Sequence, residues 1–333
     1  MAGGGAVRAF VTGGSGYLGR NLIRRLVARG DDVVALARSE EAETAVTAVG
    51  ATPIRGSLDN RTALTSAMEG AGAVFHCAAR VGDWGRLAEF RHDNVGGTAN
   101  VLASAADAGV PALVHVSTEA VLADGRALRH ADETQPIPAK PLGPYAISKG
   151  EAECLVTAAR SDGLRAVVVR PRFIWGGDDT TLLAQLTAAA RSGRLAWFGG
   201  GRYLTSTCHV GNVVEGMLCA AERGGAGQIY FLTDGEPVEF RAFLTAMLAT
   251  QGVAAPSRSI PRPVAAGAAR ILDAMWRALP LRGRPPLTPG VIAVIGQEMT
   301  VSDARARSEL GYAPVITREQ GLVELRVAGA AAA

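Results

Sequence analysis

Short apolar runs alternate with helical patterns along the first half of this 333-residue chain. The helical patterns between the runs include residues 97–108 and 145–160. Strands that are apolar throughout and separated by helices are typical of a parallel sheet that helices cover on both faces. We therefore predict an α/β fold with a doubly wound parallel sheet. The predicted strands of this sheet are residues 7–12, 32–37, 73–78, 113–117 and 166–169.

Three glycines, Gly13, Gly16 and Gly19, follow the first predicted strand and precede an amphipathic helical pattern that ends at Gly30. The first glycine permits a tight turn, the second lets the backbone approach a pyrophosphate, and the third lets the helix pack on the strand. The N-terminus of the helix then presents free N–H groups and a positive dipole end to the anion. This context predicts a dinucleotide site in a Rossmann-type domain.

Glycine pairs and triplets punctuate the chain beyond residue 172 and indicate turns, so we predict two lobes. The dinucleotide-binding domain comprises residues 1–172 and 207–233, and a smaller C-terminal substrate-binding lobe comprises residues 173–206 and 234–326. Further predicted elements are helices at 209–222, 238–251 and 262–279, a strand at 228–232 and a Pro- and Arg-rich loop at 280–289. We expect residues 327–333, which are small and lack periodicity, to form a disordered tail.

The end of the second predicted strand bears on the choice of dinucleotide. Sites specific for NAD place a carboxylate about 20 residues beyond the glycine turn to bind the ribose 2′-hydroxyl. Here Ala37 occupies that position and Arg38 follows it. Because an arginine can pair with the 2′-phosphate bidentately and a carboxylate would repel it, we predict NADP(H) in preference to NAD(H).

Tyr145 and Lys149 are four residues apart within a helical pattern and therefore share one face. The lysine ammonium would lower the pKa of the tyrosine from about 10 by favouring the phenolate. Such a tyrosine can donate a proton to a carbonyl oxygen or accept it in the reverse direction. Ser117 and Thr118 end the preceding strand, and either hydroxyl can donate to a developing oxyanion, so periodicity leaves the choice open.

Composition narrows the function classes. The 34 basic and 31 acidic residues give a net charge of +3, too balanced for the basic stripe of a nucleic-acid-binding protein. The five histidines show no metal-ligand spacing, so we predict no metal site. The four cysteines form no C-x-x-C pair and we find no export signal, which predicts reduced thiols and a cytoplasmic location. No apolar run reaches the roughly 18 residues that a transmembrane span requires.

Motifs along most of the chain resemble those of the extended short-chain dehydrogenases/reductases. Within that superfamily the chain looks most similar to the 3β-hydroxysteroid dehydrogenase-like and NAD-dependent epimerase/dehydratase-like branch. The motifs are TGGSGYLG at 12–19, FHCAA at 75–79, NVGGT at 94–98, ST at 117–118, Tyr145 with Lys149, RP at 170–171, HVGNVV at 209–214 and LGYAP at 310–314.

The resemblance implies roles for individual residues. It assigns the catalytic hydroxyl to Thr118, beside Tyr145 and Lys149. One departure concerns the segment 56–58, where the family often has an aspartate that contacts adenine and this chain has Ser57. The implied dinucleotide contacts, including Gly19 of the glycine motif, are Gly13, Gly16, Tyr17, Leu18, Gly19, Arg38, Leu58, Ala78, Ala79, Tyr145, Lys149 and Pro171.

The loop after Ala79 and the second lobe should supply the far wall of the cleft. Aromatic and apolar walls suit a hydrophobic, steroid-like or other apolar substrate, although aromatic residues are normally part of the core. We therefore predict an NADP(H)-dependent oxidoreductase that interconverts a ketone and a secondary alcohol, with Tyr145 as general acid and base. The candidate substrate residues are Val81, Trp84, Glu119, Phe173 and Tyr203, with Trp175 and Trp197 as further candidates.

Two other functions stay open. A nucleotide-sugar epimerase, dehydratase or reductase of the same fold usually presents an arginine to the diphosphate where this chain has Thr205, and Arg202 is displaced in register. A non-catalytic dinucleotide sensor would not need Thr118, Tyr145 and Lys149 together.

The helical pattern at 262–279 is a second open question. Its apolar stripe fits a substrate lid, an interfacial membrane helix or a helix packed on the second lobe. The sequence also leaves open whether the chain forms a homodimer.

Overall fold

A computed structural model describes residues 7–159, 163–179, 182–279 and 281–331. A parallel sheet of seven strands forms its centre, and shorter strands form three smaller sheets. The strands are β1 Arg8–Thr12, β2 Asp32–Ala37, β3 Thr52–Arg55, β4 Ala73–His76, β5 Ala112–Val116, β6 Leu128–Ala131, β7 Arg165–Pro171, β8 Ile174–Trp175, β9 Trp197–Phe198, β10 Leu204–Thr205, β11 Cys208–His209, β12 Ile229–Leu232, β13 Val238–Glu239, β14 Ser259–Ile260 and β15 Met299–Val301.

The central sheet has the strand order β12-β7-β5-β4-β1-β2-β3, with every neighbouring pair parallel. The chain winds in one direction from β1 to β3 and in the other from β4 to β12. The order therefore reverses between β1 and β4, and ligands of such sheets bind outside the carboxyl ends at this reversal. The predicted α/β, Rossmann-type fold is confirmed.

Helices cover both faces of this sheet. One face packs against α1, α2, α8 and α12, through residues such as Leu22 and Met217, and the other packs against α3, α5 and α6, through residues such as Val101 and Val156. The helices are α1 Tyr17–Ala28, α2 Glu40–Thr47, α3 Arg61–Met68, α4 Leu87–Phe90, α5 Gly97–Asp107, α6 Pro144–Ala158, α7 Leu182–Arg191, α8 Val210–Arg223, α9 Phe240–Thr250, α10 Arg262–Ala278, α11 Pro289–Ile295, α12 Ala304–Leu310 and α13 Arg318–Ala331.

The smaller sheets and an aromatic core make up the second part of the molecule. A four-stranded sheet has the order β13-β10-β15-β6, and the pairs β11-β8 and β14-β9 are parallel. Trp175, Trp197, Phe240 and Phe243 form the centre of the neighbouring core. Strand β6 lies within the predicted first domain yet pairs with β15, and the domain boundaries themselves stay a prediction.

Three differences between the observed and the predicted elements concern helices. A π-helical segment, Arg91–Gly96, precedes α5 and carries Asn94 into the protein interior. A short strand, β13, precedes α9 where a single helix is predicted. Helix α13 continues to Ala331, so the prediction of a disordered tail is wrong for residues 327–331, because alanine favours helix more than any other residue.

Some predicted features fall on positions that lie outside the described residues. These are residues 1–6, 160–162, 180–181, 280 and 332–333. Among the helices in the described part of the chain, none is long and apolar enough to cross a membrane.

Candidate active site

The glycine turn between β1 and α1 is closed tightly against the end of β4. Gly13 has a φ of +71°, and a Cβ added there would lie 2.6 Å from the Ala78 nitrogen. A Cβ at Gly19 would overlap the Gly13 carbonyl oxygen, which itself accepts the Gly16 N–H at 3.1 Å. Only glycine fits at residues 13 and 19, because a side chain would collide with backbone atoms that cannot move aside.

Helix α1 begins beyond this turn with Gly16 as its N-cap, and no side chain caps it. The first N–H groups of an uncapped helix, together with its dipole, attract an anion such as a pyrophosphate. Gly16 is exposed, so an anion can reach this end of the helix. The residues present therefore fit the phosphates of a dinucleotide.

Other predicted dinucleotide contacts lie along the same edge of the sheet. Arg38 is exposed directly after β2, Ala79 follows β4, and Pro171 ends β7. Leu58 packs against Gly97, where an added Cβ would lie 2.7 Å from its Cδ1 atom. The Ser57 hydroxyl accepts the N–H of Asp59 at 3.3 Å. These residues come from separate segments, and the parallel topology brings the strand ends to one edge.

Tyr17, the first residue of α1 and a predicted dinucleotide contact, lies near acidic side chains from distant parts of the chain. Its hydroxyl is buried without a hydrogen-bond partner in the described part of the chain. Burial raises the pKa of Tyr17, and the nearby carboxylates of Asp179, Asp178 and Glu324 raise it further. The neighbouring Leu18 packs against the core cluster on the α1 face of the sheet.

Thr118, Tyr145 and Lys149 come together at the carboxyl end of β5. Thr118 follows that strand, while Tyr145 and Lys149 lie in the first two turns of α6. Lys149 is 2% exposed, and its Nζ donates to the Val116 carbonyl oxygen at 2.7 Å. Nζ also contacts the His115 Nε2 at 3.0 Å, which must act as the acceptor because an ammonium only donates.

The pKa of Tyr145 is raised, which differs from the lowering expected from Lys149. Burial is the main cause and the carboxylate of Glu119 adds to it, whereas a hydrogen bond with Thr118 lowers the pKa. The Lys149 ammonium is directed at Val116 and His115 instead. Burial lowers the pKa of Lys149 itself to about 8, opposed by the charge of Glu153.

Arg172 and Glu119 form a buried ion pair beside Thr118, which the sequence analysis did not predict. The Arg172 Nη1 donates to Glu119 Oε1 at 2.5 Å, and the Thr118 hydroxyl donates to Glu119 Oε2 at 2.9 Å. Arg172 also donates to the Thr205 hydroxyl at 3.1 Å and to the Val294 carbonyl oxygen at 3.0 Å. Arg172 therefore joins the end of β7 to the Thr118 turn, to β10 of the four-stranded sheet and to helix α11. The one sequence signal for it is a second arginine directly after the RP motif.

Behind Lys149 lie two buried histidines. His76 bridges Thr12 and Thr98, with nitrogen–oxygen distances of 2.7 and 2.9 Å, and its ring centroid is 5.1 Å from that of His115. Burial and the charge of Lys149 lower the pKa of His76 to about 3 and that of His115 well below its usual value. Both rings are therefore neutral at physiological pH and add no charge behind the ammonium.

Asn94 of the π-helical segment connects the loop after β4 to α6. Its side chain accepts the Arg80 N–H at 2.6 Å and donates to the Ser148 hydroxyl at 2.9 Å. The residue belongs to the NVGGT motif but is missing from the predicted site residues. Its contacts hold α6, and with it Tyr145 and Lys149, against the β4 edge.

The predicted substrate residues fall into two groups, apart from Glu119, whose carboxylate is in the ion pair. Val81 is 73% exposed, and Trp84 carries the Arg277 guanidinium 4.8 Å from its ring centroid. Phe173 and Tyr203 instead pack against Phe240, with ring centroids 6.1 and 5.5 Å apart. The further candidates, Trp175 and Trp197, are buried in the same aromatic core.

The fold and the glycine turn define a dinucleotide-binding α/β protein, and comparisons identify its family. The model of the NAD dependent epimerase/dehydratase family matches residues 9–232. The chain therefore belongs to this family, as the resemblance predicted. It is an NAD(P)-dependent oxidoreductase of the extended short-chain dehydrogenase/reductase type.

Two curated relatives match over nearly their whole length. The chain is 54% identical over 325 residues to the 4-hydroxy-2-methyl-3-oxo-4-farnesyl-3,4-dihydroquinoline-1-oxide ketoreductase of Stigmatella aurantiaca, covering 98% of this chain and 97% of that protein. It is 36% identical over 335 residues to the 2-alkyl-3-oxoalkanoate reductase of Stenotrophomonas maltophilia, covering 98% of this chain and 100% of that protein.

A solved structure shares the fold. The UDP-glucose 4-epimerase of Thermotoga maritima, solved with UDP-glucose, superposes with a TM-score of 0.76. The match covers 98% of this chain and 99% of that one at 20% identity, which shows a common fold and nothing about substrate.

Within the described residues, no group of three or more His, Cys, Asp or Glu side chains could hold a metal ion.

Proposed function

We propose that this protein reduces a ketone on an apolar substrate, or oxidises the corresponding secondary alcohol, with NADP(H). The convergence of Thr118, Tyr145 and Lys149 at the carboxyl end of β5 carries the proposal. These groups lie at the edge of the sheet that also bears the glycine turn. A proton donor next to a dinucleotide site is what carbonyl reduction requires.

In this mechanism the dinucleotide, when bound, supplies the hydride or accepts it. The Tyr145 hydroxyl donates a proton to the carbonyl oxygen as that oxygen becomes an alkoxide, and accepts the proton in the reverse direction. The Thr118 hydroxyl, which donates to Glu119 in the structure, turns from that carboxylate to donate to the same oxygen and stabilises its developing charge. Lys149 holds a positive charge beneath the site and keeps α6 fixed to β5 through Val116.

The two curated relatives support the substrate class. Both are named as reductases of oxo compounds, and both substrates carry an alkyl or farnesyl chain. We propose an apolar ketone for this chain, with the farnesylated dihydroquinoline oxide as the first compound to test. Val81, which is 73% exposed, offers apolar surface for such a chain.

The preference for NADP(H) rests on Arg38, which is exposed at the end of β2 where a 2′-phosphate can reach it. The neighbouring Ala37 adds no negative charge to oppose that phosphate. A cytoplasmic location and the two-domain boundaries predicted from the sequence remain part of this proposal.

The experiment is a spectrophotometric screen of apolar ketones and nucleotide sugars with NADPH and NADH, followed by Tyr145→Phe. We expect turnover to fall by about 100-fold or more in this variant while dinucleotide binding persists, because only the proton donor is removed. Tyr230→Phe is the control, since the Tyr230 hydroxyl bonds to Glu309 and Gly225 away from the site.

The screen distinguishes the proposal from its alternatives. Turnover of a UDP-sugar without any ketone reduction would favour a nucleotide-sugar enzyme. Dinucleotide binding without turnover of any compound would favour a sensor. Near-normal activity of Tyr145→Phe would remove Tyr145 from the mechanism.

A further inference from the structure

Helix α10 has an apolar side that nothing in the described chain covers. Its inner side packs through Ala265 and Ala269 against Ile292 and its neighbours. On the outer side, Val264 is 60% and Ile271 63% exposed. Exposed large apolar residues continue beyond these two at Met275, Leu279 and Leu281.

These side chains form one surface because of their spacing. Val264, Ile271 and Met275 are seven and four residues apart, which places them on one side of a helix. Contiguous exposed apolar surface is typical of protein or membrane interaction sites. We call the outer side of α10, with Leu279 and Leu281, the α10 surface.

The segment around this surface is strongly basic. Residues 258–287 contain six arginines and one aspartate, a net charge of +5, whereas the whole chain carries +3. The rest of the chain is therefore negative, at −2. Arg270 and Arg282 are exposed beside the apolar residues, and Arg277 is paired with Asp273.

The charge decides between two occupants of the α10 surface. In a symmetric dimer the same surface would face itself, which would bring the arginines of both copies together. An anionic lipid surface instead attracts them while its acyl region accepts the apolar side chains. We propose that the α10 surface docks the protein on anionic membranes.

The α10 surface adjoins the loop that the proposed function assigns to substrate. Arg277 covers the ring of Trp84, Arg284 lies 3.6 Å from Asp83, and the Thr288 hydroxyl donates to Asp83 at 2.8 Å. A docked protein would hold this loop near the lipid, where an apolar ketone concentrates. This consequence rests on the proposed function, whereas membrane binding itself does not.

The test is sedimentation of the full chain with vesicles that contain phosphatidylglycerol, compared with vesicles of phosphatidylcholine alone. We expect binding to the anionic vesicles that weakens as salt is raised. Ile271→Glu should reduce binding by about ten-fold or more, because it places a carboxylate on the apolar side. Arg270→Gln and Arg282→Gln should each reduce it by about five-fold.

Val315→Glu is the matched control, because Val315 is 59% exposed and lies outside the α10 surface. It should bind like the wild type, and unchanged thermal unfolding should show that every variant is folded. Equal losses in Val315→Glu and Ile271→Glu, or no binding by the wild type, would overturn the proposal. So would a stable dimer, seen by light scattering without vesicles, that Ile271→Glu dissociates.

Discussion

The two halves of the candidate site are built from different groups. At the glycine turn between β1 and β4 the groups that would meet a ligand belong to the backbone, since Gly13 lies against Ala78 and the N-terminus of α1 has no side-chain cap. Around β5 and β7 the groups are buried side chains, namely the Glu119–Arg172 pair and Lys149. The first half fits a ligand by shape and dipole, and the second by charges held away from water.

This difference determines how substitutions affect each half of the site. The backbone half depends on the absence of side chains, so any added atom damages it. The side-chain half depends on complete pairs, because a buried charge that loses its partner is strongly unfavourable. Substitutions should therefore act locally in the first half and destabilise the whole fold in the second.

The largest effect should follow from breaking the buried pair. Arg172→Met leaves the Glu119 carboxylate buried without its partner, so the free energy of unfolding should fall by about 3–5 kcal/mol. Replacing both residues, as in Arg172→Met with Glu119→Leu, should restore much of this loss. Urea unfolding of the three proteins measures both effects.

An exposed pair of equal length provides the control. Arg61 and Asp107 are also 2.5 Å apart, but both side chains are about half exposed, at 53% and 48%. Arg61→Met should therefore change stability by about 1 kcal/mol or less. If Arg172→Met and Arg61→Met have similar effects, burial does not distinguish the two pairs and the contrast between the halves is lost.

The same contrast explains what the sequence predicts. Three glycines at fixed spacing after an apolar strand are a local pattern, and the turn forms within that segment. Glu119 and Arg172 are 53 positions apart, and His115 and Lys149 are 34 apart. No local pattern encodes such pairs, because only the completed fold brings the residues together.

The fold follows the same rule. Apolar runs predict the parallel sheet, since a strand that is buried on both faces must be apolar throughout. The pairing of β6 with β15 and the π-helical segment Arg91–Gly96 depend on tertiary contacts, so they are absent from the prediction. The family motifs supply Thr118, Tyr145 and Lys149 but not Arg172, which lies just beyond the RP motif.

A second effect concerns Lys149 and depends on pH. Its pKa is about 8 in the folded protein against 10.5 for an ordinary lysine, so between these values the unfolded chain holds more protons. The contribution of Lys149 to stability therefore rises with pH across this window, by about 3 kcal/mol in total. Lys149→Met lacks the titrating group, so its stability relative to wild type should fall from pH 8 upward.

Urea unfolding of both proteins across this pH window measures that difference. Lys140 is the other lysine of the chain, and it is exposed. Lys140→Met should show no comparable pH-dependent difference from wild type. If the difference in unfolding free energy between Lys149→Met and wild type does not change with pH, burial does not penalise the charge of Lys149. Water would then reach this half of the site.

A third effect tests the backbone half. Gly13→Ala combines a left-handed backbone with a Cβ 2.6 Å from the Ala78 nitrogen, so we expect the Kd for the dinucleotide to rise by about 100-fold. Gly70→Ala is the matched control, since Gly70 has a φ of +72° and no atom within 4 Å of the added Cβ. Titration calorimetry of the folded proteins should find that Gly70→Ala binds the dinucleotide with unchanged affinity. Equal affinities in Gly13→Ala and Gly70→Ala would show that the close packing of Gly13 on Ala78 does not matter for binding.

The smallest effect should come from Arg38, which would bring a charged side chain into the backbone half. Because Arg38 is exposed, its charge-assisted hydrogen bonds to a 2′-phosphate are partly screened, and Arg38→Ala should raise the NADPH Kd by about 10-fold. NADH lacks that phosphate, so its Kd should stay nearly constant. Adding Ala37→Asp should shift the preference toward NADH by providing an acceptor for the ribose 2′-hydroxyl. Arg8→Ala, at the opposite end of β1, should affect neither dinucleotide. Equal weakening of NADPH and NADH by Arg38→Ala would make Arg38 an ordinary surface residue, and recognition in this half would then rest on the backbone alone.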